Sequence, residues 1–403
     1  MAYPGEMETF ISYLLVALAG LLSVPVGVFF LEVIAAIVLP QRGPKTREVN
    51  NLRKRVGILV PAHNESIGLQ PTIKDIKGQL RPRDRLLVVV DNCYDDTAAV
   101  AMTAGAEVVE RHDPEKIGKG YALDWGLVHL SADPPAIVII IDADCRLGEH
   151  AIDRLATTCA MTGRPVQALD LMVAPDESPL DYRVAEFAWR VKNWVRPLGL
   201  SALNLPCQLM GTGMAFPWEL ISRADLASGR IVEDLRLGLD LALAGSPPLF
   251  LPTAVVTSHF PTSTEGAATQ RQRWEHGHLA TIATAAPRLI YLAIVRGNVR
   301  LLALTLDMMV PPLAVLGVLL IGAFAVAGIA AFFGASSAAL IVSAAGLIAF
   351  ALAIFLSWLK FGRDVLPPRA LLSIGPFFVG KLWLYARLLS RGVVTQWVRT
   401  DRK

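Results

Sequence analysis

Charge is scarce in this chain: only 18% of its 403 residues are Asp, Glu, Lys or Arg. With 53% hydrophobic residues and a mean hydropathy of +0.47, it is too apolar for an ordinary soluble enzyme. A disordered chain is excluded, because apolar material for a core is ample. Cysteine is scarcer still. Cys93, Cys145, Cys159 and Cys207 show neither pairing nor zinc spacing, which excludes a disulfide-stapled secreted scaffold. No internal repeat and no low-complexity segment is found.

Acidic residues nearly vanish from the C-terminal third. From Pro287 onward 12 Lys/Arg stand against 3 Asp/Glu, whereas residues 1–286 carry 26 basic and 32 acidic groups. A basic, apolar segment suits an anionic membrane surface, so membrane lipids are an expected partner. Nucleic acid is not, since these basic residues flank apolar spans and not aromatic stacking platforms.

What the chain does have is long apolar runs. Residues 11–31 are uncharged and long enough to cross a bilayer, which takes roughly 20 residues. Glu6 and Glu8 precede this run, which argues against a signal peptide. Arg42, Lys45, Arg47, Arg53, Lys54 and Arg55 follow it, so the positive-inside rule puts the N-terminus outside and the next domain in the cytoplasm. Two further spans, 308–333 and 337–359, are joined by Gly334-Ala335-Ser336 and flanked by Arg296, Arg300, Lys360 and Arg363. They predict a hairpin that dips out and back. Residues 366–389 hold Arg369, Pro376 and Lys381 and read as an interfacial or re-entrant helix, with a fourth span as the alternative. Residues 287–295 read as another interfacial helix. The expected organisation is a transmembrane helix (1–41), a cytoplasmic domain (42–286), and interfacial helices with a transmembrane hairpin (287–403). This describes a multi-pass protein of the cell inner (plasma) membrane.

Within the middle segment the pattern changes. Residues 56–60, 86–90 and 136–141 are continuous apolar runs of buried-strand length, separated by helical periods. They predict an α/β fold with a mostly parallel sheet covered on both faces. Thr97 is expected to cap the helix after the second strand, and Gly105 to stop it. Ligands bind off the carboxyl ends of such strands, where Asp91 and Asp142 fall.

Five clusters could carry chemistry, each with a plainer alternative. Asp142-Ala143-Asp144 either grips a hard divalent cation, leaving room for phosphate oxygens, or is a turn with solvated acids. Asp91 either accepts hydrogen bonds from a ribose or base or belongs to an Asx-rich turn, to which Asp95 and Asp96 are assigned. Lys119 lies between Gly118 and Gly120 at a helix start, where it either reaches a phosphate or base or is solvated; P-loop spacing is absent. Glu233-Asp234 opens a helix, either as a dipole-favoured cap or with Asp234 as a general base. Gln270, Arg273 and Trp274 share one helical face. They suit an anionic leaving group beside a sugar ring, or an amphipathic helix anchored in the membrane surface. Pro61-Ala62-His63-Asn64-Glu65 ends the first strand and joins the same edge. His276 and His278, two apart, are read as structural.

Taken in order, Asp91, Asp142-Ala143-Asp144, Glu233-Asp234 and Gln270-x-x-Arg273-Trp274 resemble the membrane-bound family 2 glycosyltransferases. That group includes cellulose, chitin and hyaluronan synthases and bacterial exopolysaccharide transferases. The resemblance covers residues 56–280 and the flanking spans. It implies a glycosyltransferase A fold, with a mostly parallel mixed, Rossmann-like sheet and flanking transmembrane and interfacial helices. It also implies an inverting, metal-dependent hexosyltransferase acting on a nucleotide-diphosphate sugar, usually a UDP-sugar, with a lipid-linked or saccharide acceptor. Polysaccharide-assembly proteins would be further partners in exopolysaccharide biosynthesis.

Carried over by residue, Pro61, Asn64, Glu65 and Asp91 would line the nucleotide pocket, with Lys119 nearby. Asp142 would contact the nucleotide and Asp144 the Mg²⁺ or Mn²⁺ on the diphosphate. Asp234 would be the catalytic base. Gln270, Arg273 and Trp274 would hold the diphosphate and acceptor sugar, with Glu233 beside them. Gly211-Thr212-Gly213 resembles the acceptor-side loop. His259, in Ser258-His259-Phe260-Pro261, is read as structural. With fewer spans than a cellulose synthase, a translocation channel within one chain is not expected. A processive polysaccharide synthase and a non-catalytic saccharide-binding scaffold are the alternatives; the intact Asp91, Asp142, Asp144 and Asp234 count against the scaffold.

Overall fold

Beyond residue 55 the backbone alternates strand and helix, as the apolar runs require. The computed structural model describes residues 4–41, 53–175, 178–227, 232–261 and 264–371. After helix α1 (Pro4–Val38) come β1 (Val56–Ala62), α2 (Leu69–Lys77), β2 (Arg85–Asp91), α3 (Thr97–Thr103), β3 (Glu107–Arg111), α4 (Lys119–Leu130) and β4 (Ile137–Ile140). A second half holds β5 (Arg146–Leu147), α5 (Ala151–Thr162), β6 (Val166–Val173), α6 (Leu180–Arg190), a π-helical turn (Val191–Val195) and α7 (Arg196–Ala202). It ends with β7 (Met214–Pro217), α8 (Trp218–Ile221), α9 (Glu233–Leu243) and β8 (Leu249–His259).

The eight strands form one mixed sheet in the order β3-β2-β1-β4-β7-β6-β8-β5. β3, β2, β1 and β4 are mutually parallel; β7 runs antiparallel to β4 and β6, and β8 is parallel to β6. The carboxyl ends of β1, β2, β4, β6 and β8 therefore share one edge with the start of β7. Alternation sorts the side chains onto two faces. Ile58, Val60, Ile137, Ile139 and Ile141 pack with α2 and α5 through Ile73, Ile152 and Leu155. Leu59, Val138 and Ile140 pack on the other face with Leu123, Leu127 and Leu237 from α4 and α9.

Thr97 does not cap α3 as expected but is its first helical residue. Its N–H and hydroxyl both donate to Asp95 Oδ1, at 3.1 and 2.5 Å, so Asp95 takes the capping part. Gly105, at φ +80°, ends the segment as expected.

A third core joins the domain to the apolar helices. Val26, Phe29 and Val33 of α1 pack with Leu198 of α7, with Leu316 and Leu320 of α12 (Leu313–Phe332), and with Phe350 and Trp358 of α13 (Ala338–Phe361). Helix α1 is longer than the uncharged run suggests, and Glu32 lies inside it, 2% exposed. Before α12 come α10 (Thr264–Val295) and α11 (Val299–Met308). Helix α10 runs unbroken through Pro287, across the boundary expected between the domain and its C-terminal helices. Its Ala286, Leu289 and Ala293 pack on α9 and α11, while Tyr291, Ile294 and Val295 remain exposed. The expected span 308–333 is interrupted instead at Pro311-Pro312, because a proline disfavours helix in the residue before it.

Among the described residues four helices are long and apolar enough to cross a membrane, by length and composition: Glu8–Val38, Gln272–Val295, Leu313–Phe332 and Ala338–Phe361. The exposed Leu319, Phe324, Ile329, Ile341, Ile348 and Phe355 give α12 and α13 an apolar outer surface suited to lipid. Of the basic residues after α1, Arg53 is committed to Asp84 and Asp153 and Arg55 to Asp133. Arg42, Lys45 and Arg47 lie outside the described residues. So does most of the expected interfacial helix 366–389, of which only α14 (Pro368–Leu371) and its approach are described.

Candidate active site

A cavity of about 360 Å³ opens at the shared strand edge. Sheet geometry explains what faces it. Ala143 turns inward and packs in the core, so its neighbours Asp142 and Asp144 turn outward to the cavity. Two hydroxyls fix this turn. Thr212 accepts the Asp142 N–H at 3.0 Å, and the Thr72 hydroxyl lies 2.8 and 2.7 Å from the Ala143 and Cys145 carbonyls.

The loops after β1 and β2 brace each other. Asn64 takes a left-handed backbone (φ 54°); its N–H donates to Cys93 Sγ at 3.1 Å and its side-chain oxygen accepts the Tyr94 N–H at 2.9 Å. Pro61, Asn64, Glu65 and Asp91 all line the cavity. Asp91 is 6% exposed, and its Oδ1 accepts from Arg111 at 2.6 Å and from Asn92 at 3.2 Å. Burial raises the proton affinity of Asp91 and Arg111 opposes it, with burial the stronger effect.

Lys119, at the start of α4, donates to Asp142 Oδ1 and to the Gly211 carbonyl, the latter at 2.8 Å. Burial works against its charge, but Asp142, Glu233 and Asp234 outweigh burial and hold the ammonium above its ordinary pKa. Gly211 (φ +95°) closes this cluster. A Cβ there would sit 3.4 Å from Asp234 Oδ2 and 3.7 Å from Lys119 Nζ. Glu233 and Asp234 occupy the first turn of α9, where the helix dipole favours acids, and both also line the cavity. Glu233 is pushed up to about 7, by burial first and then by the charge of Asp234. Asp234 is also raised by burial, with Lys119 opposing.

Gln270, Arg273 and Trp274 of α10 line the same cavity, and Trp274 packs against Trp189 of α6 with ring centroids 4.9 Å apart and planes tilted by 46°. Thr212 lines it too. Gly213 does not: it sits behind the wall, where a Cβ would meet Ala168 at 2.7 Å. His259 is exposed at the end of β8, and its neighbour Ser258 faces the cavity. His278, read as structural, bonds the Met308 carbonyl at 2.8 Å and also lines the cavity.

Sequence reasoning missed a whole wall. Asp170 of β6, Lys192 and Asn193 of the π-turn, Arg196 of α7, Gln208 and Asp307 all line the cavity. Asp170 is pushed up to about 8 by burial and then by the charge of Asp142, and its Oδ2 accepts from Asn193 at 3.0 Å. An acid inside the apolar run 166–173 was the available signal. Arg196 donates to Glu32 at 2.8 Å and to Asp307 at 2.6 Å, and Gln208 donates to Asp307 at 2.9 Å.

Comparison with known proteins follows the same lines. The model for "Glycosyltransferase like family 2" matches residues 54–277. The probable glycosyltransferase YdaM of Bacillus subtilis is 27% identical over 266 residues, which are 58% of this chain and 58% of that protein. The uncharacterized glycosyltransferase Rv0539 of Mycobacterium tuberculosis is 30% identical over 189 residues, 44% of this chain and 82% of that one. Among solved structures, the mannosyltransferase PcManGT from Pyrobaculum calidifontis, in complex with GDP-Man and Mn²⁺, aligns with a TM-score of 0.53 at 17% identity. That alignment covers 86% of this chain and 98% of that one. The sheet is that of a glycosyltransferase A fold flanked by apolar helices. With more than half its length matched by the family model, the chain belongs to the family 2 glycosyltransferases.

Proposed function

We propose that the protein is an inverting membrane transferase. It moves a hexose from a nucleotide-diphosphate sugar, with UDP as the nucleotide, to a lipid-linked or saccharide acceptor. The observation that carries this reading is the convergence of Asp142, Asp144, Lys119 and Asp234 on one cavity with Gln270, Arg273 and Trp274.

In this reading Asp234 takes the proton of an acceptor hydroxyl as its oxygen attacks the anomeric carbon opposite the leaving diphosphate, so the configuration inverts. A proton affinity raised by burial makes it a stronger base than an ordinary carboxylate. Lys119 and Arg273 hold fixed positive charge toward the diphosphate as negative charge builds on it. Trp274 offers its ring to the acceptor sugar. Asp91, with Pro61, Asn64 and Glu65, receives the nucleoside.

The donor set fits a divalent ion. Asp144 is a half-exposed carboxylate at a strand end, with Asp142 two residues before it. Among the described residues no three His, Cys, Asp or Glu side chains form a complete metal site. That suits Mg²⁺ or Mn²⁺, which is held by one or two carboxylates and otherwise by phosphate oxygens and water. When bound, such an ion neutralises charge on the leaving diphosphate. In this reading the domain works in the cytoplasm, where nucleotide sugars are made, with exopolysaccharide or glycoconjugate assembly as its setting.

The test is nucleotide release and sugar transfer by detergent-purified protein across a panel of nucleotide sugars. It uses Mg²⁺ or Mn²⁺, EDTA as control and mass spectrometry of the products. Metal-dependent release of nucleoside diphosphate from one donor is the expected result. Silence across the panel, with lipid acceptors supplied and folding verified, would reject the reading. A single added sugar or a ladder separates one-step transfer from processive synthesis.

A further inference from the structure

One wall of the cavity is left unused by the transfer chemistry. Trp189 sits near the end of α6, Lys192 and Asn193 lie in the π-turn, and Arg196 opens α7; all four line the cavity. π-Turns are rare and occur often at functional sites, where the extra residue re-aims side chains. Here Lys192 is exposed to the cavity while Val191 and Val195 are fully buried on either side of it.

Among the described residues no carboxylate lies within ion-pair distance of Lys192, whose ammonium sits 5.3 Å from the centroid of the Trp189 ring. The other cations of this wall differ. Lys119 is bonded to Asp142, and Arg196 is neutralised by Glu32 and Asp307. Asp234, Asp170 and Asp307 favour the Lys192 charge from α9, β6 and α11, and Arg196 opposes it from α7. Although the side chain reaches solvent in the cavity, desolvation by the surrounding walls is the largest influence, and the net result holds the lysine below its ordinary pKa. An anion supplied by a ligand would restore the balance.

Two contacts indicate which anion. Trp189 packs on Trp274, so Lys192 lies beside the acceptor-side aromatics and not beside the β1–β2 loops that receive the nucleoside. One turn further on, Arg196 bonds Glu32 inside the apolar helix α1, so this wall of the cavity adjoins a helix apolar enough to cross a membrane. We propose that Lys192 binds the phosphate linker of a lipid-carried acceptor. The word acceptor rests on the transferase reading; the phosphate site itself does not.

The experiment titrates the full-length protein in detergent with farnesyl phosphate, following intrinsic tryptophan fluorescence. Farnesol (lipid without phosphate) and glucose 1-phosphate (phosphate without lipid) form the other arms, and UDP is titrated separately. Farnesyl phosphate is expected to bind at least about tenfold more tightly than either partial ligand. Lys192→Met should weaken it by about 10- to 100-fold, the range of one charge-assisted hydrogen bond. Lys192→Arg should hold it near wild type, and UDP affinity should stay within about twofold in both variants. Unchanged farnesyl phosphate binding in Lys192→Met overturns the proposal. So does glucose 1-phosphate binding as tightly as farnesyl phosphate, or UDP affinity falling in step. Binding requires no turnover. A wild type that binds farnesyl phosphate through Lys192 but transfers no sugar would sink the transferase reading and leave this site standing.

Discussion

Arg196 of α7 donates to Glu32 of the N-terminal apolar helix at 2.8 Å, and the guanidinium that makes this bond also lines the cavity. The two helices touch backbone to backbone beside it. A Cβ on Gly199 would lie 1.9 Å from the Glu32 carbonyl oxygen, so only glycine permits the crossing. Helix α1 thus backs the wall of the candidate active site through Arg196.

Arg196→Met should be strongly destabilising, because it leaves Glu32 and Asp307 buried without their cation. Breaking a buried pair from one side costs about 3–5 kcal/mol. Replacing all three (Glu32→Gln, Arg196→Met, Asp307→Asn) should recover much of that loss, since no uncompensated charge remains. Denaturant unfolding of the detergent-solubilised variants checks this. A triple variant no more stable than Arg196→Met would show that the charges are not what the single change disturbs.

Asp234→Asn should lower sugar transfer by about 10²- to 10⁴-fold while leaving nucleotide affinity close to wild type. Nucleotide titration beside single-turnover transfer separates the two effects. Transfer at the wild-type rate would remove Asp234 from the base role.

How much of this was legible in the sequence depends on the kind of signal. Residues 56–60, 86–90 and 137–140 are strands because a two-faced sheet buries both sides of each, and such burial leaves a continuous apolar run. Asp91 and Asp142 stand out because each follows such a run. Gln270, Arg273 and Trp274 follow from helical spacing. Glu32, Arg196 and Asp307 could not be joined this way, since no linear spacing links three residues from helices far apart in sequence. Glu32 alone carried a hint: an acid among apolar residues of a spanning helix usually has a buried partner. Lys192 left no trace, because the π-turn that aims it is set by packing and not by periodicity.

Asp144→Asn should raise the Mg²⁺ or Mn²⁺ concentration needed for half-maximal activity, by at least the roughly 10- to 100-fold seen when a ligand's supporting group is lost. A metal titration of nucleotide release is the measurement. An unchanged metal requirement would move the ion away from Asp144.

Asp170 makes stability depend on pH in a predictable direction. Its carboxyl is pushed up to about 8 in the folded protein, against about 4 for an exposed aspartate. The folded state therefore holds this proton more tightly than the unfolded state. The resulting stabilisation is complete below about pH 4 and is lost as pH rises toward 8. Asp170→Asn should abolish that loss, so the variant gains on wild type at pH 9 and differs less at pH 5. Thermal unfolding at the two pH values decides it; an equal effect at both would assign Asp170 an ordinary proton affinity.

Lys119 connects the donor side of the cavity to the base. Burial raises the proton affinity of Asp234 and the Lys119 charge pulls it back down, so removing that charge must raise it further. A base works only when deprotonated, and the activity it supports is lost as pH falls through its pKa. In Lys119→Met the acid limb of the kcat–pH profile, measured at saturating donor, should therefore move to higher pH, while Lys119→Arg should leave it near its wild-type position. The donor KM should also rise in Lys119→Met, because Asp142 loses its bonded ammonium. A higher KM with an unmoved acid limb would confine Lys119 to donor binding. A limb displaced to lower pH would mean that the ionising group is not Asp234.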